Sequence, residues 1–179
     1  MPADDASKYH LQCNVLTVLD NDWDLAIFHP DCTYLANSSV QWLWRQPKKP
    51  RPGVLYGPER WQALDRACEF FVRLLEASIP RLACENPIPH KYAVERLGRN
   101  YDQLIQPYQF GHPEMKATCL WLKGLPKLVP TKIVDLPESP AEAQRIFHMA
   151  PSEERSRLRS VSFKGIGEAM ADQWGGEAG

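Results

Sequence analysis

No stretch of this chain comes near the roughly 18 consecutive apolar residues that a membrane-spanning helix needs, so no such helix is expected. The opening MPADDASKYH has acidic residues and no apolar core, which argues against a secretory leader and makes the cytoplasm the expected location. Cysteine is present without pairing: Cys13, Cys32, Cys68, Cys84 and Cys119 are odd in number, with no C-x2-C spacing and no His-x3-His partner. That pattern excludes a disulfide framework and a zinc-finger type of site. No metal is expected, and most of these thiols should be small buried hydrophobes. An excess of positive charge is missing too, since 21 Lys and Arg face 22 Asp and Glu, for a formal net charge of -1. A purely electrostatic polynucleotide binder is thereby disfavoured, although local clustering of basic groups is not.

One such cluster is RQPKKPRP, residues 45–52, which reads either as a Pro-stiffened solvated loop or as a basic patch. Trp42 and Trp44 precede it; they suit a core or an interface, or stacking on exposed bases.

At 179 residues the chain suits a single domain with a real core. Of two short apolar runs before residue 29, VLTVL and DLAIF, the second reads as a buried strand. Trp61, Leu64, Cys68, Phe71, Val72 and Leu75 recur at helical spacing, so a helix is expected over 59–77, with Gly57-Pro58 opening it and Ile79-Pro80 closing it. Arg81 to Cys84 reads as a short strand running into Glu85-Asn86-Pro87. Residues 104–110 suggest an extended segment, 115–122 a further strand, and 126–160 a Pro-rich, charged stretch. Ile166, Ala169, Met170 and Trp174 fit a last amphipathic helix. Strand, long helix, strand points to an α/β fold, in which ligands sit beyond the carboxyl ends of strands.

Two strands end in unusual residues, His29-Pro30-Asp31-Cys32 and Glu85-Asn86-Pro87. A proline ends a strand ladder and lifts the following cysteine out of the sheet. If the two strands are neighbours, Cys32 and Glu85 share one crevice. A thiolate is a strong nucleophile, and a carboxyl group kept protonated can hydrogen-bond a ring nitrogen. Together they suit addition to an electron-poor ring such as a pyrimidine, with the thiolate at C6 and the carboxyl group at N3. Asp31 beside the thiol works against the thiolate. His29 reads either as an assistant to Cys32 or as an ordinary turn histidine. His90, His112 and Glu114 lack the spacing of a metal site.

The pair HPDCTYLANS and ACENP resembles the motifs of the C5-cytosine DNA methyltransferases, which carry Pro-Cys at the end of one strand and Glu-Asn-Val at the end of the next. FGHPEMKATCLWLKGL resembles the family's Gly-x-Pro-Gln-x-x-Arg segment with its following strand, and GIGEAMADQW the turn that opens its last helix. The match is nearest to short phage- or prophage-type members carrying P-x-C-T-Y-L, E-N-P, Q-P-x-x-F-G-H-P-E-x-K-A-T and L-W-L-K-G-L-P, and spans residues 12–175. The resemblance implies a Rossmann-like, three-layer, methyltransferase-type sheet, truncated at the N-terminus. Within the single domain 1–179, it implies a catalytic-type core over 8–125, a linker or reduced target-recognition region over 126–160, and a C-terminal helix over 161–175.

It further implies that Cys32 adds to C6 of a flipped cytosine in DNA, that Pro30 shapes its turn, that Glu85 contacts N3, and that Asn86 holds the loop. Lys116, Thr33 and Asn37 are the implied substrate-binding residues, and Arg145, Arg155, Arg157 and Arg159 a candidate phosphate-contacting set. S-adenosylmethionine is the implied methyl donor. The Gly-rich turn that would hold it has no counterpart, since no glycine precedes Gly53 and Cys13-Asn14 stands where Gly-Asp is expected. Truncation of a parallel sheet would leave an open edge, to be covered by residues 8–19, by a second copy in a homodimer, or by a partner chain supplying the missing strands. The alternative reading is a catalytically inactive relative that acts as a DNA-binding or protein-interaction module. A third is another pyrimidine C5 chemistry with a folate donor, as in the thymidylate synthases.

Overall fold

The computed structural model describes residues 9–150, 152, 154, 155, 158 and 161–176. Its sheet has four strands: β1 (Leu25–Phe28), β2 (Arg81–Pro87), β3 (Gln103–Ile105) and β4 (Thr118–Lys123), in the order β1-β2-β4-β3. The helices are α1 (Gly57–Leu75), α2 (Lys91–Leu97), the short α3 (Pro140–Ala143) and α4 (Arg145–His148), and α5 (Lys164–Trp174). The chain is therefore mixed α/β. Only β1 and β2 run parallel; β4 is antiparallel to both β2 and β3. A loop rather than a crossover helix joins β3 to β4, and such a connection suits antiparallel neighbours.

Alternation along the strands divides the core. Leu82 and Cys84 of β2, with Cys119 and Trp121 of β4, pack with Leu64, Phe71 and Leu74 of α1. Ala83 and Leu120 point the other way, against Ile166, Ala169, Met170 and Trp174 of α5. By the same period of two, Glu85 shares the α5 face of β2 with Ala83.

Several boundaries differ from expectation for reasons that tertiary contacts supply. β2 runs through Glu85 to Pro87 because Asn86 and Pro87 pair with Cys119 and Thr118 of β4. The extended segment expected over 104–110 breaks after Ile105 into a 3-10 turn, Pro107–Gln109. Residues 9–19 do not pair with the sheet. They include a 3-10 turn, Val15–Thr17, whose Val15 and Leu16 pack against the α1-side core. Among the described residues, no strand covers the outer edge of β1.

Gly165 in the first turn of α5 is there for space: a Cβ would sit 2.0 Å from the Phe110 carbonyl oxygen. Among the described residues, no helix is long and apolar enough to cross a membrane.

Candidate active site at the carboxyl ends of two strands

The parallel register of β1 on β2 ends with Phe28 beside Cys84, and one residue further His29 meets Glu85. His29 Nδ1 lies 3.1 Å from Glu85 Oε2, with the imidazole half-exposed and the carboxylate largely buried. This contact with Glu85 raises the His29 pKa above its ordinary 6.5, against opposing effects of burial and of the nearby Lys116 charge. The contact is an ion pair when His29 is protonated, and the Oε2 atom is itself buried.

Asn86, the next residue, is buried and donates from Nδ2 to the Pro30 carbonyl at 2.9 Å, while its Oδ1 has no hydrogen-bond partner. The segment bearing Cys32 is thus tied to β2 two residues before the cysteine. Beyond it, Asp31 accepts at Oδ1 from both the amide (2.9 Å) and the hydroxyl (2.6 Å) of Thr33. The Cys32 carbonyl accepts from the amides of Leu35 and Ala36, closing a tight turn with the cysteine half-buried on it. Cys68, Cys84 and Cys119 contrast with it: all three are buried in the core, and burial pushes their thiols up to about 11, 12 and 12 respectively.

Two further clamps hold this turn. Arg60, almost fully buried on α1, donates to the Thr33 carbonyl at 2.7 Å and to the Leu55 carbonyl at 3.2 Å, and its guanidinium lies over the Tyr34 ring. Burial lowers its pKa. His90 caps α2 by accepting at Nδ1 from the Ala93 amide. Its proton therefore sits on Nε2, which donates to the Tyr34 carbonyl at 2.9 Å. Burial lowers the His90 pKa, which keeps this neutral arrangement. The local signal for the cap was the pattern His90-Lys91-Tyr92-Ala93 with Gly98 closing the helix in the left-handed conformation, φ 69°.

The implied substrate contacts divide. Thr33 spends its hydroxyl on Asp31. Asn37 is exposed, and its backbone amide is held by the Ile88 carbonyl. Lys116 donates to the Val161 carbonyl at 3.2 Å, lies over the Phe163 ring, and acts electrostatically on His29. Arg145 is paired with Glu114 at 2.7 Å, and Arg155 donates to the Ile146 and Phe147 carbonyls. Arg157 and Arg159 lie outside the described residues. His112 accepts at Nε2 from the Gly165 amide, fastening the Gly-His-Pro-Glu loop to the start of α5.

A shallow groove of about 490 Å³ on the α1–α2 surface, lined by Asp65, Cys68, Glu69 and Arg96 among others, includes neither Cys32 nor Glu85. What the strand ends offer chemically is a half-exposed thiol on a fixed turn, a buried carboxylate, and an imidazole beside that carboxylate. No protein-family model, no curated protein and no solved structure matches this chain.

Proposed function

We propose that this chain is a DNA cytosine-C5 methyltransferase-like protein of Rossmann-like, three-layer design, in which Cys32 adds to a cytosine ring. The observation that carries this reading is the convergence of the two strand-end motifs, with His29 on Glu85 at 3.1 Å and Asn86 on the Pro30 carbonyl at 2.9 Å. In the reaction, the Cys32 thiolate forms a bond to C6, and the C5–C6 π pair moves onto C5 and into the ring toward N3. The His29 imidazolium supplies, by way of the Glu85 carboxylate, the proton that N3 takes up. C5, now carrying the electron pair, takes an electrophile. Loss of its hydrogen as a proton to water then expels the thiolate and restores the C5–C6 double bond, and the N3 proton returns to Glu85. A base held in a duplex would have to leave the stack to reach Cys32.

The chain's own residues do not fit the methyl donor that the resemblance implies. No glycine precedes Gly53. The later glycine pair is Gly165, packed against Phe110, and Gly167, inside α5. The described residues thus offer no counterpart of the Gly-rich turn that would hold S-adenosylmethionine. This misfit favours, as a second reading, a relative that binds DNA or a protein without catalysis.

The two readings separate without any donor. With protons as the only electrophile, addition at C6 exchanges the C5 hydrogen with solvent. The proposal expects deuterium at C5 when cytosine-containing DNA is incubated with the protein in heavy water, and none with Cys32→Ser. DNA binding with no exchange above the Cys32→Ser background would leave only the non-catalytic reading.

A further inference from the structure

Apart from the strand ends, aromatic and basic side chains gather on one exposed surface. Trp44 is 56% exposed although its ring meets those of Trp61 and Tyr92 edge-on, at 5.6 and 5.1 Å between centroids. Trp61 and Tyr92 meet each other at 5.2 Å, so the exposed indole stands on a braced aromatic base. Cations lie on the supporting rings: Arg96, itself paired with Asp65, over Trp61 at 5.0 Å, and Lys91 over Tyr92 at 4.8 Å.

Directly after Trp44 comes the loop RQPKKPRP, with Arg45, Lys48, Lys49 and Arg51 all exposed and no carboxylate within it. None of these four cations, nor Lys91, forms an ion pair with a described residue. Against a formal net charge of -1, such local concentration is a marked asymmetry. Pro47, Pro50 and Pro52 stiffen the loop, which lowers the entropy lost when it is immobilised.

We infer that Trp44 and the 45–51 loop form a docking surface for single-stranded DNA, an unpaired base stacking on Trp44 and its flanking phosphates meeting Lys48, Lys49 and Arg51. The choice of DNA over RNA rests on the function proposed above; the stacking and charge complementarity do not. A stacked base needs an exposed π-face, and its backbone needs exposed cations; Trp44 offers the first, and Lys48, Lys49 and Arg51, without ion pairs among the described residues, the second. It also shares its supports with the Cys32 turn. Arg60, which holds the Thr33 carbonyl, adjoins Trp61, and His90, which holds the Tyr34 carbonyl, has its ring 6.0 Å from that of Tyr92. A strand docked on Trp44 would therefore run beside the loop that carries the thiol, with no pairing partner to be displaced.

The test is fluorescence anisotropy with a labelled 15-mer of thymidine, a duplex of equal length and a 15-mer of uridine, at several salt concentrations and without any methyl donor. The single DNA strand should bind more tightly than either alternative. Its logarithmic salt slope should be about -2, as expected for three neutralised phosphates on a single strand. Trp44→Ala should weaken binding about 5- to 150-fold, the range for loss of one stacked base, and Trp44→Phe should restore part of it. Lys48→Glu with Lys49→Glu should weaken binding and flatten the slope; these exposed residues lie outside the core, and matching thermal unfolding would confirm intact folding. Unchanged affinity in both variants, or tighter binding of the duplex, would overturn the docking surface. Tighter binding of the uridine strand would overturn its assignment to DNA. Absence of C5 exchange alongside Trp44-dependent binding would count against the chemistry at Cys32 alone.

Discussion

Replacing Asn86 by Asp changes one group and leaves the shape intact, so it isolates the bond that ties the Cys32 segment to β2. The wild-type Nδ2 donates to the Pro30 carbonyl at 2.9 Å from a side chain only 2% exposed. In Asn86→Asp an ionised oxygen would face that carbonyl oxygen, two acceptors in contact and shielded from water. Losing the hydrogen bond and leaving both groups unsatisfied should cost about 3 kcal/mol or more, since each unpaired buried group costs about 1–3 kcal/mol. Asn86→Ala should cost less, about 1–2 kcal/mol, because it also removes the Oδ1 atom that already lacks a partner.

The sign of the pH dependence follows from the same geometry. A protonated carboxyl group can donate to the Pro30 carbonyl, so the introduced group's folded-state pKa is raised above its unfolded value. Its stabilising form is present at low pH and is lost as pH rises through the folded pKa. Urea unfolding at pH 7 and pH 4.5 would read this directly. With a slope of about 1–3 kcal/mol per molar urea, the Asn86→Asp midpoint should fall by about 1–3 M at pH 7, and the gap to wild type should narrow at pH 4.5. A variant as stable as wild type at pH 7, or a gap that widens in acid, would refute the hydrogen bond and with it the positioning of the Cys32 turn.

The two glycines of α5 should respond in opposite directions. Gly165→Ala, driven into the Phe110 carbonyl, should cost about 1–3 kcal/mol, whereas Gly167→Ala, with nothing within 4 Å, should gain about 0.4–1 kcal/mol in the same denaturation assay. Arg60→Lys replaces a fork that spans two carbonyls with a point charge. It should cost about 1.5–3 kcal/mol and lower hydrogen-exchange protection at the Leu35 and Ala36 amides. By NMR, His29 should titrate above 6.5 and His90 below it. The His29 contribution to stability is full below its unfolded pKa and is lost as pH rises through the raised folded value; Glu85→Gln should move that titration down. His90 has the opposite sign, because the unfolded state takes up its proton first as pH falls below 6.5, so that its contribution is lost in acid.

Local patterns made much of the scaffold legible. The apolar period of α1, the short runs of β1 and β4, and the amphipathic α5 each announce themselves within about a dozen residues. α2 was missed because Lys91–Leu97 gives barely two turns of pattern, and its start signal is a histidine rather than a common cap. The sense of β4 was missed because strand direction depends on where the loop between β3 and β4 sends the chain. Cys32 and Glu85 stand out in the sequence as strand-end motifs, but what holds them does not. Arg60 reaches Thr33 across 27 positions, and Asn86 and His90 reach Pro30 and Tyr34 across 56. Such contacts leave no periodicity. Arg60 is hidden further by its place on the buried face of a helix, where an arginine reads as an exception to the apolar stripe.

The chemistry proposed for this site is addition of the Cys32 sulfur to C6 of a cytosine. An oligonucleotide carrying 5-azacytosine tests it most directly. Nitrogen at position 5 makes C6 more electrophilic and can retain a proton after addition, so the adduct should survive denaturation with no electrophile supplied. A covalent protein–DNA species is expected, greatly reduced in Glu85→Gln and absent in Cys32→Ser, whose mass after cleavage before the aspartates that separate Cys13 from Cys32 maps to the peptide bearing Cys32. No adduct above the Cys32→Ser background, or one mapping to exposed Cys13 instead, would contradict it.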